Sequence, residues 1–366
     1  MANRRSVLFL VSSLGRGGSE RVTVNLANHL YLHGWDVTVL PFVPDVDDYA
    51  VVEGVHVDRH MPKGRGGLNS KLQTQRYIMS RIRAISPAVV VSLGAGDDLL
   101  AVSRLFQRYP LVTSLRNDPA FLRQLPLFRR VLNYLAYQLS ARVVFQSEGA
   151  RSRFGRRVRQ RGIIIDNPLV DGLIHNNTPF DLRDREVVTF SRLVPQKRLD
   201  VLVRAFARFR DCFPDYRLSI FGRGPERAAL DALIARFGLV EVVTIEDFRT
   251  DIHERIHNAS MYVSSSDYEG VSNSMLEAMA VGLPAVCTDA APGGTREIIE
   301  RFDTGVLVPA DDPEQLAQAM CDLAADHLRA NHFIAKGAEL RGALANDIVC
   351  FEWERLLVAI VDSEAR

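Results

Sequence analysis

Short apolar runs recur along the whole chain, each bounded by turn residues and followed by a helical pattern, and few folds accommodate that alternation. SVLFLVSSL, DVTVLPF, AVVVSLG, LVTSLR and RVVFQS mark the first half, and EVVTFSRL, LSIF and VVTIEDF continue in the second. Strands buried on both faces read as unbroken apolar runs, and parallel neighbours need a crossover helix between them. The pattern therefore predicts an α/β protein whose parallel sheets are covered by helices on both faces. With 366 residues, 47% of them hydrophobic, the chain exceeds the ~250 residues that one core usually serves, so two domains are expected. Ile163-Ile164-Ile165 reads as the last strand of the first, and Asp166-Asn167-Pro168 as a linker, because the residue before a proline favours extended backbone. The expected domains are 1–168 and 169–348.

Charge divides the chain at the same place. The formal total is +1, but residues 1–168 carry +12 and residues 169–366 carry −11. Between Arg116 and Arg161 stand eleven arginines against two acids, and Lys63, Arg65, Lys71, Arg76, Arg81 and Arg83 form an earlier basic cluster. A basic half implies an anionic partner: nucleic acid, an acidic glycan or an anionic membrane. Zinc-finger spacing, RNA-binding aromatic strands and helix-turn-helix patterns do not stand out, so nucleic acid is not expected. The segment from Phe121 to Ala141 alternates Leu122, Leu125, Phe128, Val131, Leu132 and Leu135 with Arg123, Arg129 and Arg130. It reads either as a helix lying in a lipid headgroup layer or as a core helix packed on RVVFQS.

Four dispersed cysteines (Cys212, Cys287, Cys321, Cys350) show neither pairing nor metal-ligand spacing, which suits a reduced, cytosolic protein. The opening MANRRSVLFLVSS has basic residues before an apolar run, as signal peptides do. The run is short and ends in a glycine loop, so a first buried strand is expected instead.

Chemistry concentrates between Ala259 and Asp289. An apolar run containing Met261 and Val263 leads into Ser264-Ser265-Ser266 and Glu269-Gly270-Val271, and a helix pattern follows from about Ser274 to Val281, closed by Gly282 and Pro284. Ser272 or Asn273 would cap that helix, leaving backbone N–H groups at its start aimed at an anion. Glu269 and Glu277 bracket the spot. Carboxylates accept hydrogen bonds only, so this pair beside a phosphate-binding helix start suits a ligand carrying hydroxyls and phosphates, such as a nucleotide sugar.

The Glu269…Glu277 spacing, with Glu-Gly in front and Glu-Ala behind, resembles the signature of the family-4 retaining glycosyltransferases, which have the GT-B fold of two Rossmann-like domains facing across a cleft. Three further stretches resemble the family in the same order. Ser191-Arg192-Leu193-Val194-Pro195-Gln196-Lys197 matches its Arg-Leu…Lys element, Phe221-Gly222-Arg223-Gly224-Pro225 its glycine turn, and Gly293-Gly294 with Glu297 its later Gly-Gly…Glu run. Resemblance extends from residue 7 to about 361 and includes the N-terminal loop at Gly17-Gly18-Ser19-Glu20. At Gly17 and Gly18 glycine suits either close approach of backbone N–H groups to a phosphate or a tight strand-to-helix turn. The third glycine of a dinucleotide-binding turn is missing at Arg227.

The resemblance implies a nucleoside-diphosphate sugar donor, a UDP-sugar favoured, bound by the second domain and no resident cofactor or metal. Arg192, Lys197 and Glu269 are the expected catalytic residues. Gly17, Gly18, Gly222, Gly224, Phe248, Gly270, Val271, Ser272, Asn273, Ser274 and Glu277 are expected to bind donor, Glu277 through the ribose and Glu269 through the sugar. The terminal helix, about 349–366, is expected to join the first domain. The first domain would bind a glycan or polyprenyl-linked acceptor at the inner face of the cell membrane. The Asp-x-Asp at Asp45 and Asp47, with Asp48 after it, reads as a solvated turn rather than a metal site. Asp97, ahead of Asp98 and behind Gly94-Ala95-Gly96, is a candidate for acceptor binding. Where many family members carry a histidine near the reacting sugar, this chain has Arg116-Asn117-Asp118. These three are expected at the acceptor instead. Competing readings are a nucleotide-sugar epimerase of the same fold, a glycogen-synthase-like enzyme and a non-catalytic nucleotide-binding module.

Overall fold

The computed structural model describes residues 5–15, 17–47, 49–62, 68–94 and 96–364. Arg16, Asp48, Lys63, Arg65 and Ala95 lie outside them, as do the side chains of Asp45 and Asp47. The chain divides into two compact units: Met1–Pro168 with Asn346–Arg366, and Leu169–Ala345.

Among the described residues the first unit holds seven strands: β1 Ser6–Leu14, β2 Asp36–Asp47, β3 His56–Val57, β4 Val89–Ser92, β5 Leu111–Ser114, β6 Arg142–Phe145 and β7 Gly162–Ile164. They form one parallel sheet in the order β3-β2-β1-β4-β5-β6-β7. The second unit repeats the plan with β8 Asp184–Phe190, β9 Arg217–Phe221, β10 Val243–Glu246, β11 Ala259–Ser264, β12 Ala285–Thr288 and β13 Gly305–Val308. Its order is β10-β9-β8-β11-β12-β13, also parallel. Each sheet thus reverses its winding once, between β1 and β4 and between β8 and β11. In such sheets ligands bind beyond the carboxyl ends of the strands at that reversal.

Burial follows the pleat. Val7, Phe9 and Val11 of β1 enter one core with helices Gly18–Leu32 and Asn346–Glu364, while Leu8 and Leu10 enter another with Ile78, Ile82 and Leu100. Successive residues of a strand face opposite sides, so an unbroken apolar run is what a sheet covered on both faces requires. The C-terminal helix buries Val349, Cys350, Trp353, Leu357 and Ile360, spaced three and four apart along one stripe. In the second unit Val187, Ile220, Met261 and Val286 line one core, and Val188, Tyr262, Ala285 and Cys287 the other.

The stretch Phe121–Ala141 is not one helix. A 3-10 turn, Pro119–Gln124, precedes a helix Leu127–Leu139, with Pro126 starting the new element. That helix buries Asn133, Ala136 and Tyr137, whereas Leu127, Phe128 and Val131 are 64%, 56% and 56% exposed. Tyr137 packs with Val143 and Phe145 of β6, as a core helix on that strand would, while the apolar side chains of the helix's first turns face outward. Among the described residues no helix is long and apolar enough to cross a membrane.

Candidate active site

Two loops leaving the reversal point of the second sheet carry the site. After β8 the chain runs through Ser191–Val194 into a 3-10 turn, Pro195–Lys197, and then the helix Leu199–Cys212. After β11 it runs through Ser265–Ser272 into the helix Asn273–Ala280. Hydrogen bonds zip these loops together. Ser265 Oγ donates to the Lys197 carbonyl at 2.9 Å, Gln196 Nε2 to the Tyr268 carbonyl at 2.8 Å, and the Asp267 N–H to the Gln196 carbonyl at 3.0 Å. The Glu269 N–H in turn donates to the Ala291 carbonyl at 2.7 Å.

That clamp brings Lys197 Nζ against Glu269 Oε2, and Ser266 Oγ lies 3.5 Å from the same oxygen. The two side chains are 12% and 16% exposed, so the pair is shielded and its Coulomb attraction is far stronger than at an open surface. Lys197 also lines a cavity of about 10 Å³ with Ser191, Tyr262, Ser264, Ser265 and Ser266. Burial raises the Tyr262 hydroxyl above its ordinary pKa. It is a neutral neighbour.

The three basic residues of the first loop part company. Arg198 sits at φ 44°, a left-handed backbone that side chains rarely adopt, and pairs with Asp200 at 3.1 Å and Asp311 at 2.6 Å. Those carboxylates raise its pKa and spend its charge on the fold. Lys197 holds Glu269. Arg192 is exposed and makes no side-chain hydrogen bond among the described residues.

Ser272 caps the helix Asn273–Ala280, its Oγ accepting from the Met275 N–H at 3.5 Å while lying 2.9 Å from Ser274 Oγ. Gly270 and Val271 are buried just before the cap. Glu277, also buried, has its Oε2 2.8 Å from His253 Nε2, and His253 belongs to the short helix Ile252–Ile256 ahead of β11. The sequence did not single out His253, and gave Gln196 and Ser265, quoted only within longer runs, no role of their own. Their partners are set by loop docking, and no local spacing announces them.

The glycine turn has a packing role. A Cβ on Gly222 would lie 1.8 Å from the Ser191 carbonyl oxygen, and one on Gly224 would lie 2.1 Å from the Leu193 carbonyl oxygen. Both glycines let β9 end against the loop that carries Arg192. Gly294, at the start of the helix Gly294–Phe302, does the same for the second loop, since a Cβ there would lie 2.0 Å from the Gly270 carbonyl oxygen. Phe248, just beyond β10, is 44% exposed and sits between the ion pairs Arg223–Asp247 and Arg249–Asp251.

Residues assigned to the first domain fare differently. The Gly17 N–H is taken by the Gly15 carbonyl at 2.9 Å, and the Glu20 carboxylate, bonded to Ser12, fills the space where a Gly17 side chain would go. The tight-turn role accounts for Gly17, and Gly18 simply begins the helix.

Asp97 is not presented to an acceptor. It is buried, accepting from Ser92 Oγ at 2.5 Å and Tyr137 Oη at 3.2 Å, and burial pushes its pKa up to about 6. Arg116 is likewise internal. Its guanidinium lies over the Trp353 ring at 5.7 Å and bonds Asn167, and burial pushes it down to about 9. Asp118 is buried as the cap of the 3-10 turn, accepting from the Ala120 N–H at 2.8 Å and from Arg153 at 3.2 Å. Asn117 accepts from the Asp118 N–H at 2.8 Å. The loop that replaces the family's histidine thus packs against its own unit, Arg116 on Trp353 and Asn167 and Asp118 on Arg153, while Arg116 Nε and Nη2 are buried with no hydrogen-bond partner among the described residues.

Two doubly wound units, with a lysine, a glutamate and a capped helix start gathered at the sheet reversal of the second, define a glycosyltransferase of the GT-B class. A model described as Glycosyltransferase Family 4 matches residues 16–169, and one described as Glycosyl transferases group 1 matches residues 184–326. A GDP-mannose-dependent alpha-(1-6)-phosphatidylinositol monomannoside mannosyltransferase of Mycolicibacterium smegmatis is 30% identical over 309 residues, 78% of this chain and 79% of that protein. An exopolysaccharide phosphotransferase of Streptomyces coelicolor is 35% identical over 181 residues, covering 49% of this chain but only 19% of that protein. The crystal structure of Anabaena HepE in complex with UDP superposes with a TM-score of 0.79 at 20% identity, over 97% of this chain and 100% of that one. The chain belongs to the family-4 glycosyltransferases.

Proposed function

We propose that this enzyme moves a hexose or N-acetylhexosamine, with retention of anomeric configuration and without a metal ion, from a nucleoside-diphosphate sugar to a hydroxyl of a glycan acceptor. The observation that carries this reading is the shielded Lys197–Glu269 pair beside the Ser272-capped helix start. Breaking the bond between sugar and phosphate leaves extra negative charge on the diphosphate. Arg192, Lys197 and the N–H groups near Ser272 to Met275 are the groups that would stabilise it. Each preorganised donor of this kind contributes about 3 kcal/mol to the transition state. Glu269 would then hold donor-sugar hydroxyls near the anomeric carbon, and Glu277, oriented by His253, the ribose hydroxyls. No side chain stands out as a nucleophile for double displacement. A front-face reaction, with the leaving phosphate helping to deprotonate the acceptor, fits the groups present.

The base is read as uracil, with guanine the competitor. The structural relative was crystallised with UDP, and the mycobacterial relative depends on GDP-mannose. For the acceptor we favour a lipid-linked glycan presented at the cytoplasmic face of the cell membrane, as in the assembly of bacterial surface polysaccharides. The outward Leu127, Phe128 and Val131 support this. Leu127 and Val131 border, with Leu122, Arg123 and Arg130, a cavity of about 310 Å³ that mixes apolar wall with guanidinium groups. Arginine beside apolar surface matches a lipid phosphate above acyl chains.

A hydrolysis screen across UDP-, GDP- and ADP-sugars tests the donor without knowledge of the acceptor. Slow release of one nucleoside diphosphate is expected. Conversion of the sugar with no nucleotide released would favour an epimerase, and an untouched donor that still binds would favour a non-catalytic module.

A further inference from the structure

Far along the chain from the donor loops, the helix Gly18–Leu32 carries His29 in its last turn, and His33 caps its end. Residues four apart share a helix face, and the two imidazole centroids lie 4.0 Å apart. The C-terminal helix Asn346–Glu364 lays Glu354 against them, with Oε2 3.0 Å from His29 Nε2 and 2.6 Å from His33 Nδ1. Trp35 Nε1 donates to the other carboxylate oxygen at 3.3 Å, which turns Oε2 towards both rings. One ligand atom from each of the three lies within 4.8 Å of the others. None of these residues belongs to the donor site.

The geometry points to a binding site for a divalent first-row transition cation, Zn²⁺ being the representative, formed by His29 Nε2, His33 Nδ1 and Glu354 Oε2. Two imidazoles and one carboxylate are the ligand set such ions take, whereas Mg²⁺ and Ca²⁺ prefer all-oxygen shells. Bonds of about 2.0–2.2 Å in a tetrahedron place ligand atoms roughly 3.4 Å apart. His33 must therefore swing out by several tenths of an ångström. Its side chain is 44% exposed while those of His29 and Glu354 are 12% and 14% exposed, so the ring free to move is also the one at the solvent entrance. The Trp35 N–H supplies the outer hydrogen bond that orients a ligating carboxylate. Three protein ligands leave a position for water. A bound ion would pin the C-terminal helix to the helix Gly18–Leu32 and raise the stability of the first unit by mass action.

The test uses the full chain, stripped with a chelator and titrated with Zn²⁺ or Ni²⁺. The chain has two tryptophans. Trp35 touches Glu354 and Trp353 precedes it, so Ni²⁺ should quench their fluorescence on saturation of one site per chain, and Zn²⁺ should raise the melting temperature. His33→Ala, on the exposed ring, should weaken binding at least about tenfold, since loss even of an outer partner commonly costs that much. Trp35→Phe keeps all three ligands and should weaken it less. If His33→Ala does not fold, Trp35→Phe alone decides, with unchanged affinity counting against the site. No saturable binding, or equal affinity and quenching in His33→Ala, would overturn the proposal. The second outcome would assign the ion to other ligands such as the neighbouring thiols Cys212 and Cys321.

Discussion

Lys197 and Glu269 neutralise one another, and that fact shapes what each substitution should do. A diphosphate brought to a pair of zero net charge draws on Arg192 for the surplus, so Arg192→Ala and Lys197→Ala should each slow transfer about 10²–10³-fold. Circular dichroism checks that the fold survives, because Lys197→Ala leaves a shielded carboxylate unpaired. Glu269→Gln frees the lysine. It should bind UDP at least as tightly as the parent, by calorimetry, while transfer falls by a similar factor; weaker UDP binding would mean that Glu269 does not oppose the phosphate. Asp97 makes a different prediction. Its pKa in the folded protein, about 6 against an ordinary 3.8, is raised by burial, so the stability it contributes is present below about pH 4 and lost as pH rises through about 6. Urea midpoints of the parent minus those of Asp97→Asn should fall between pH 4 and 6 and be flat above. A flat difference throughout would put the carboxyl in contact with water. Neither Asp97 nor Arg116 could be placed from sequence. A strand-end residue faces a ligand or a core depending on what packs over it, and here Tyr137 and Trp353 arrive from distant segments.

Apolar periodicity places elements well when one face is buried and poorly when two apolar faces compete. The strands were legible because double-sided burial demands unbroken runs, and the helix Asn273–Ala280 because Ser272 and Gly282 bracket it. The segment Phe121–Ala141 was not, since Pro126 divides it and its leucines face both ways. The exposed face of the helix Leu127–Leu139 predicts binding to anionic vesicles. Replacing Leu127, Phe128 and Val131 by serine should reduce flotation with vesicles containing anionic lipid several-fold and leave donor hydrolysis unchanged. Equal flotation of parent and variant would remove the helix from the membrane argument. The glycines of the turn after β9 were read as ligand contacts, but the Cβ positions show a need set by the neighbouring loop. A glycine pattern fixes where backbone approaches something closely, and only the structure says what.

At the scale of the whole chain, two parallel sheets of the same winding come from one repeated device, a buried strand feeding a covering helix. The second turns its reversal point into the Lys197–Glu269 pair and a Ser272-capped helix start. The charge asymmetry was visible in the sequence, yet its division of labour was not, since the basic residues of the first half include an interior arginine at position 116 and structural ion-pair partners such as Arg153 on Asp118. What the account rests on is that the second unit holds a pyrophosphate between the loops after β8 and β11. A crystal structure of the protein with UDP reads this directly. The diphosphate is predicted to contact the side chains of Arg192 and Lys197 and the backbone N–H groups between Ser272 and Met275, with the ribose against Glu277. A nucleotide bound elsewhere, with Lys197 still closed on Glu269 and Arg192 in bulk water, would contradict it.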